Sequence, residues 1–290
     1  MSFHLVGIIP VAGQKLDFNM PWHDALTAIG PDYLAVERSV VECANAGCRS
    51  IWIVCNDDMQ PLIRYRIGEL VQDPVWVLRD YEYNKKEYQR PIQVHYVPIL
   101  PKDINKRDCL SWSVLHGATV ANKICKGLST NLAPDKFYVS WPYGYYAPTF
   151  VRKLRTDIAS KKNFFLSFKG KTVVDGEYLG FTFDFDTLKK LKDEVVIKST
   201  GIWADPKTRT ERLPLEDRFS YRNFKVKDVF GELPVHNNEK VELFNYWNID
   251  SWEGYCEYIS GYGLKAKRPS KFILKYKEWN GIGVDDEELV

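Results

Sequence analysis

The hydrophobic positions of the chain switch between short continuous runs and sets with helical spacing. Residues 5–11 form an apolar, β-branched run that ends in a glycine turn, which predicts a buried parallel strand followed by a loop. Apolar positions at helical spacing fill residues 33–44, with Asp32 as the expected N-cap and Gly47 as the stop. A second apolar run at residues 51–55 completes a pattern that predicts a right-handed βαβ unit.

The same alternation continues along the chain. In the first half it predicts helices at residues 61–71 and 113–125 and strands at 92–97 and 137–140. In the second half it predicts strands at 163–168, 171–174 and 178–183 and a helix at 187–192. Chain-breaking residues predict a long loop at 15–31, and residues 204–214 predict a surface excursion. No repeat or linker divides the chain, so we expect one α/β domain over residues 1–290.

Composition and charge narrow the classes of function. The chain has 40 Lys and Arg against 38 Asp and Glu without a dense basic block, which argues against a nucleic-acid partner. Its six cysteines include no CxxC pair, so neither a zinc site nor a disulfide framework is predicted. No apolar stretch approaches the ~20 residues of a membrane span, so we expect a cytoplasmic protein with no membrane partner. The acidic run at residues 285–288 is typical of a solvated tail.

Three strings, in this order along the chain, resemble those of one protein superfamily. They are Ile-Ile-Pro-Val-Ala-Gly at residues 8–13, Ala-Gly-Cys-Arg-Ser-Ile-Trp-Ile-Val-Cys at 46–55 and Tyr-Trp-Asn-Ile-Asp-Ser-Trp-Glu-Gly-Tyr at 246–255. The superfamily is that of the nucleotidyltransferases with a GT-A-like fold, which includes the sugar-phosphate and molybdopterin-cofactor nucleotidyltransferases. The resemblance implies a three-layer α/β fold with a mixed, mainly parallel central sheet. It also implies a nucleotide-binding half at 1–145, an acceptor or sugar-binding half at 146–262 and a C-terminal extension at 263–290.

The resemblance assigns roles to the loop after the first strand and to a later helix start. In the family, backbone N–H groups of that loop cradle the phosphates of a nucleotide, which implies this role for Ala12, Gly13 and Gln14. Ser111 and Ser113 lie where the family places a base-recognition string before a helix, and a helix start suits polar and anionic groups. We therefore expect a nucleotide or nucleotide sugar as the partner.

The phosphate loop departs from the family pattern at one cation. Trp22 follows Pro21 where the family has a Pro-Lys pair, and an indole cannot supply a cation to a phosphate. Lys15 stands where the family has an early loop cation, and His23 lies next to the missing lysine, so both are candidate catalytic residues. The alternatives are a solvated loop lysine and a packed or hydrogen-bonded loop histidine.

The metal positions depart from the pattern as well. The family commonly has an Asp after the strand predicted at 137–140, where this chain has an aromatic run at 141–146. At the second metal position Asn248 replaces an Asp, but Asp250 lies two residues on and, in extended backbone, faces the same side. Asp250 is therefore the candidate ligand for Mg2+, with an Asx-turn or a helix N-cap as the alternative. The aromatic run is either a stacking platform for a ligand ring or a packed aromatic turn.

These features leave three functions open. The leading one is transfer of a nucleotidyl group from an NTP to a sugar phosphate, with release of pyrophosphate. A catalytically silent binding or assembly subunit is favoured by the two missing family residues. A GT-A-type glycosyltransferase would need an Asp-x-Asp metal motif, and Asp184-Phe185-Asp186 matches it in letters but is placed to cap a helix. Assembly into a homo-oligomer stays open.

Overall fold

The computed structural model describes residues 3–13, 22–75, 91–104, 107, 109–205, 208–217, 219–220, 224–235 and 238–269. The strands in these ranges are, in chain order, β1 (Leu5–Pro10), β2 (Ala28–Gly30), β3 (Tyr33–Leu34), β4 (Ser50–Val54), β5 (Leu70–Gln72), β6 (Pro91–Val97), β7 (Lys136–Val139), β8 (Gly144–Tyr145), β9 (Phe164–Ser167), β10 (Phe181–Phe183), β11 (Thr200–Gly201), β12 (Phe219–Ser220), β13 (Glu239–Glu242) and β14 (Trp247–Asn248). The helices are α1 (Ala35–Ala46), α2 (Gln60–Ile67), α3 (Pro101–Ile104), α4 (Leu110–Leu128), α5 (Arg155–Ile158), α6 (Phe185–Ser199), α7 (Val226–Phe230) and α8 (Trp252–Gly261).

Eight of the strands described form one sheet in the order β13-β9-β10-β7-β1-β4-β6-β5. β1 lies inside the sheet and pairs in parallel with both β4 and β7. β6 is parallel to β4 and β13 is parallel to β9, whereas β10 and β5 run antiparallel to every strand they pair with. Six of the eight strands therefore point the same way, which confirms the predicted mixed, mainly parallel sheet.

Helices cover both faces of this sheet. α1 packs on β1 and β7 together with the 3-10 turn Pro148–Leu154, whereas α4 packs on β1 and β4 together with α6 and α7. Every residue of β1, β4 and β7 is buried, as expected for parallel strands that are covered on two sides. The predicted three-layer α/β fold class is confirmed. In the described part of the chain, no helix is both long and apolar enough to cross a bilayer.

The first helix starts later than its sequence pattern indicates. Asp32 is not the N-cap, because it lies in the turn between β2 and β3 with a φ of 50°. Leu34 is the N-cap instead, and its backbone N–H donates to Glu37 Oε2 at 2.9 Å. The predicted stop is confirmed, since Gly47 ends the helix with a φ of 90°.

Other predicted elements differ from those observed. The helix predicted at 61–71 ends at Ile67, because Gly68 leaves the helical region with a φ of 75° and Leu70–Gln72 join the sheet as β5. The strand predicted at 171–174 is wrong, since the 3-10 turn Val173–Asp175 with a Thr172 cap takes its place. The helix predicted at 187–192 is the core of the longer α6.

Candidate active site

The turn after β1 lies at the carboxyl edge of the sheet, between the ends of β4 and β7. The backbone N–H groups of Val11 and Ala12 both donate to the Val54 carbonyl, at 2.8 and 2.9 Å, which ties the turn to the end of β4. Gly13 follows with a φ of 86°, a left-handed conformation that favours glycine. A Cβ at Gly13 would lie 2.6 Å from the backbone carbonyl carbon of Cys109, so only glycine lets the turn pack against the start of α4.

The first turn of α4 closes on this glycine turn. The Ser113 hydroxyl is buried and donates to the Ala12 carbonyl at 2.6 Å. The Ser111 hydroxyl is also buried, but no hydrogen-bond partner for it is found in the described structure. The N-terminus of the 19-residue α4 carries a partial positive charge, and of its first N–H groups that of Trp112 is capped by Cys109 Sγ at 3.4 Å. The glycine turn and this helix start together form a candidate anion site.

The structure thus brings Ala12, Gly13, Ser111 and Ser113 together. The Ala12 N–H and carbonyl are both used within the protein, so this residue anchors the turn and does not present its N–H to a phosphate. Within the glycine turn, any N–H donor to a ligand would therefore come from Gly13 onwards. Gln14 and Lys15 lie outside the described residues, so their predicted roles stay predictions.

Trp22 is 45% exposed. It stands where the sequence resemblance expects a lysine. His23 follows as the N-cap of the 3-10 turn Asp24–Leu26, and its Nδ1 accepts the Ala25 N–H at 3.1 Å. Burial lowers the pKa of His23, and the nearby Asp58 carboxylate opposes that shift. The neutral imidazole with Nδ1 as acceptor is thus favoured, which matches the hydrogen-bonded loop histidine. Its catalytic role stays a prediction.

Asp250 is brought to the same edge by a small two-stranded sheet. β14 pairs antiparallel with β8, and the Ile249 N–H donates to the Tyr143 carbonyl at 2.8 Å. β8 belongs to the segment that follows β7, so the two positions at which the sequence resemblance expects metal ligands lie close together. One of them is aromatic here, and the other holds Asn248, with Asp250 two residues further on.

The Asp250 carboxylate is engaged by a phenol. The Tyr178 hydroxyl bonds to it, and the pKa of Tyr178 is raised first by burial and then by the Asp250 charge. The Asp250 N–H donates to Asn248 Oδ1 at 3.1 Å, so the side chain that forms an Asx-turn here is that of Asn248 and not that of Asp250. The N-cap of α8 is Ser251, not Asp250. The Asp250 carboxylate therefore does not cap α8.

In the described ranges, no group of three or more His, Cys, Asp or Glu side chains lies close enough together to hold a metal ion. The described residues therefore do not form a complete metal site by themselves. Mg2+ in nucleotide sites commonly uses one or two carboxylates, with phosphate oxygens and water as the remaining ligands. Asp250 would suit an ion of that kind, one delivered together with a phosphate-bearing ligand. It does not fit a preformed structural metal site.

The aromatic run after β7 is a packed turn. Its four rings, Trp141, Tyr143, Tyr145 and Tyr146, are each at most 3% exposed. The Trp141 indole N–H donates to the Leu179 carbonyl at 3.2 Å, and the ring stacks on Phe181. These side chains fill the fold, so the stacking-platform interpretation of the run is not supported.

A buried ion pair that the sequence patterns did not single out supports this turn. Arg38 and Glu42 lie one turn apart on α1, pair at 2.8 Å and are almost fully buried. Arg38 donates to the Trp141 carbonyl at 2.6 Å, and Glu42 accepts from the Ser140 hydroxyl at 2.7 Å and from the Tyr146 hydroxyl. Their i,i+4 spacing indicates a pair, but nothing in the local sequence shows that the pair is buried.

The Asp-x-Asp string lies away from this site. β10 runs antiparallel to β7, so its last residue, Phe183, pairs with Phe137 near the start of β7 and ends at the amino edge. Asp184 Oδ1 accepts the Thr187 N–H at 2.8 Å and caps α6. The string is a helix cap and gives no support to a glycosyltransferase metal site.

The sheet order and its two helical layers define the class of fold, which is that of the sugar nucleotidyltransferases with GT-A-like architecture. The chain is similar to a UTP-bound UGPase from Acinetobacter baumannii (13% identity, TM-score 0.54), over 93% of this chain and 96% of that one. It is similar to a putative glucose-1-phosphate thymidylyltransferase from Bacillus anthracis in complex with a sucrose (7% identity, TM-score 0.54), over 93% and 99%. It is also similar to a UDP-glucose pyrophosphorylase complexed with UDP-glucose (14% identity, TM-score 0.53), over 91% and 100%. No protein-family model and no curated protein matches the chain.

Proposed function

We propose that the protein binds an NTP or a nucleotide sugar at the carboxyl edge of its parallel strands. In the reaction we propose, a sugar-phosphate oxygen attacks the α-phosphorus of the NTP, and the bond to the pyrophosphate leaving group breaks. The observation that carries the proposal is the packing of the Gly13 turn against the N-terminus of α4, beside the buried hydroxyl of Ser111. Two of the similar structures hold UTP or UDP-glucose, which makes uridine nucleotides the first ligands to test.

In the proposed site, different residues contact the phosphates, the base and the metal ion. The α4 N-terminus and the backbone from Gly13 onwards stabilise phosphate charge, and Lys15 adds a cation to the same loop. In this proposal Ser111 contacts the base, whereas Ser113 holds the Ala12 carbonyl of the glycine turn. A magnesium ion, when bound through Asp250 and the phosphates, would offset the charge that develops during in-line displacement.

A catalytically silent binding or assembly subunit is the second candidate function. It is favoured by Trp141, which fills the position after β7 with a buried indole that is bonded to Leu179. It is also favoured by Trp22 in the place of the family's lysine. If the protein binds UTP but releases no pyrophosphate when UTP and glucose 1-phosphate are supplied together, the silent subunit is favoured over the enzyme.

The two serines of α4 provide a matched pair of variants. In Ser111→Ala we expect unchanged or slightly higher stability, because the hydroxyl removed has no partner, but about tenfold weaker UTP binding, or ~1.4 kcal/mol. In Ser113→Ala we expect a loss of about 1–3 kcal/mol of unfolding free energy, because the buried Ala12 carbonyl loses its donor. Denaturant unfolding and UTP titration calorimetry with magnesium measure both quantities.

The proposal fails if wild-type protein does not bind UTP, other NTPs or UDP-sugars. It also fails for this location if Ser111→Ala binds UTP as tightly as the wild type. Because Ser111 and Ser113 have the same side chain two residues apart, the pair separates a ligand contact from a structural one.

A further inference from the structure

The last described helix turns back onto the amino-terminal half of the chain. From α8, the Tyr255 hydroxyl donates to the Ala28 carbonyl and the Tyr258 hydroxyl donates to the Ile29 carbonyl, both at 2.7 Å. These two carbonyls belong to β2. We refer to residues 252–268, from the start of α8 to Arg268, as the C-terminal strap.

Beyond α8 the strap stays on the hairpin of β2 and β3. The backbone of Gly30 packs so closely on the strap that a Cβ there would lie 2.5 Å from the Ala266 carbonyl oxygen. Arg268 then pairs with Glu37 at 2.9 Å and with Asp32 at 3.5 Å. Contacts between strap and hairpin therefore run from the start of the strap to its end.

Glu37, in the first turn of α1, is the acceptor that joins the strap to the hairpin. Its side chain is only 2% exposed, yet it accepts from two guanidinium groups, those of Arg268 and Arg66. Arg66 also pairs with Asp32 at 2.9 Å, so two cations and two anions balance. Removing one partner from a buried ion pair is costly, so Arg268 contributes to holding Glu37 and the adjacent hairpin.

The strap connects two segments that carry candidate site residues, Asp250 and His23. It starts two residues after Asp250, and it ends on the hairpin into which the His23 turn leads. The Gly13 turn is held by β4 and α4, whereas the segment at 23–34 packs on α1 and is held in addition by the strap. The spacing between these segments therefore depends on contacts made far along the chain.

We propose that Arg268 is a positioning residue: through Glu37 it fixes the segment at residues 23–34, and thereby the position of the candidate residue His23 relative to the proposed nucleotide site. The effect on ligand binding rests on the proposed function, whereas the effect on the segment does not. The experiment therefore measures the effect on the segment and the effect on ligand binding separately.

The variants to compare are Arg268→Gln, Arg268→Lys and, as the matched control, Lys267→Gln. Lys267 is the exposed neighbouring cation, so the control makes the same change in net charge. In Arg268→Gln, Arg66 still pairs with Glu37, so the fold is retained. Hydrogen exchange of peptides that cover residues 23–34 is measured without ligand, and UTP affinity is measured with magnesium.

We expect exchange in residues 23–34 to be at least about threefold faster in Arg268→Gln than in the control, with partial rescue in Arg268→Lys. We expect UTP affinity to fall about fivefold in the same variant. This fold-change corresponds to the upper end of the free energy that a partly exposed ion pair contributes. Unchanged exchange at 23–34 would overturn the proposal, and so would faster exchange with unchanged UTP affinity. If the wild type binds no nucleotide, the proposed function fails, and the exchange data alone decide whether the strap holds this segment.

Discussion

At the scale of single residues, Asp250 is the side chain on which a role for magnesium depends. Its carboxylate lies at the carboxyl edge next to the packed turn after β7, close enough to Tyr178 for its charge to raise the pKa of that phenol. The acid that the family pattern expects after β7 is absent from the sequence at residues 140–146. One carboxylate holds magnesium weakly unless phosphate oxygens complete the coordination.

We therefore expect magnesium to strengthen UTP binding by about tenfold, or ~1.4 kcal/mol, in the wild type, and to have little effect in Asp250→Asn. Titrations of UTP with magnesium and with EDTA measure this difference. Asp184→Asn is the control, since Asp184 lies at the opposite edge and asparagine caps a helix equally well. An equal magnesium effect in wild type and Asp250→Asn would remove Asp250 from the metal site.

The sequence predicts part of this site and not the rest. A glycine after an apolar strand and two serines before a helix are local signals, and the structure places all three at one edge. Local patterns cannot show that the hydroxyl of Ser113 is satisfied by a residue 101 positions away while that of Ser111 is not. The same limit applies to the buried pair of Arg38 and Glu42.

At the scale of elements, the 3-10 turn Asp24–Leu26 depends on the protonation of its cap. His23 Nδ1 accepts the Ala25 N–H, which only the neutral ring can do. Since burial lowers the pKa of His23, folding favours the neutral form. The stabilisation is present above the ordinary histidine pKa of about 6.5 and is lost as the pH falls towards the lower pKa of the folded state.

We expect His23→Asn to lose less stability than the wild type between pH 7 and pH 5, because asparagine accepts the same N–H without titrating. Unfolding free energies at a series of pH values give the two slopes. Other histidines with lowered pKa values, such as His95 and His116, contribute to both proteins, so the difference between the slopes isolates His23. Parallel slopes would show that the cap does not control stability in this range.

Elements with strong burial were the ones that the sequence pattern predicted well. β1 and β4 are continuous apolar runs because helices cover both their faces. β5 is only three residues long at the edge of the sheet, too short for a pattern to separate it from the end of α2. At residues 172–175, the local contacts between the Thr172 cap and Asp175 outweigh the strand-like alternation.

At the scale of the whole molecule, parallel strands collect distant parts of the sequence at one edge. The ends of β1 and β7, the start of α4 and the segment around Asp250 meet there because the strand order places β1 between β4 and β7. The βα alternation predicts such an edge, but it does not predict the pairing of β8 with β14 or the path of the C-terminal strap. Both depend on contacts between residues about 100 or more positions apart.

The central claim is that a nucleotide binds where the Gly13 turn packs on the N-terminus of α4. A crystal structure of the protein with UTP and magnesium tests it most directly. The account predicts phosphate oxygens within hydrogen-bond distance of the backbone from Gly13 onwards and a ligand atom on the Ser111 hydroxyl. UTP bound elsewhere on the protein, with Ser111 still without a partner, would contradict it.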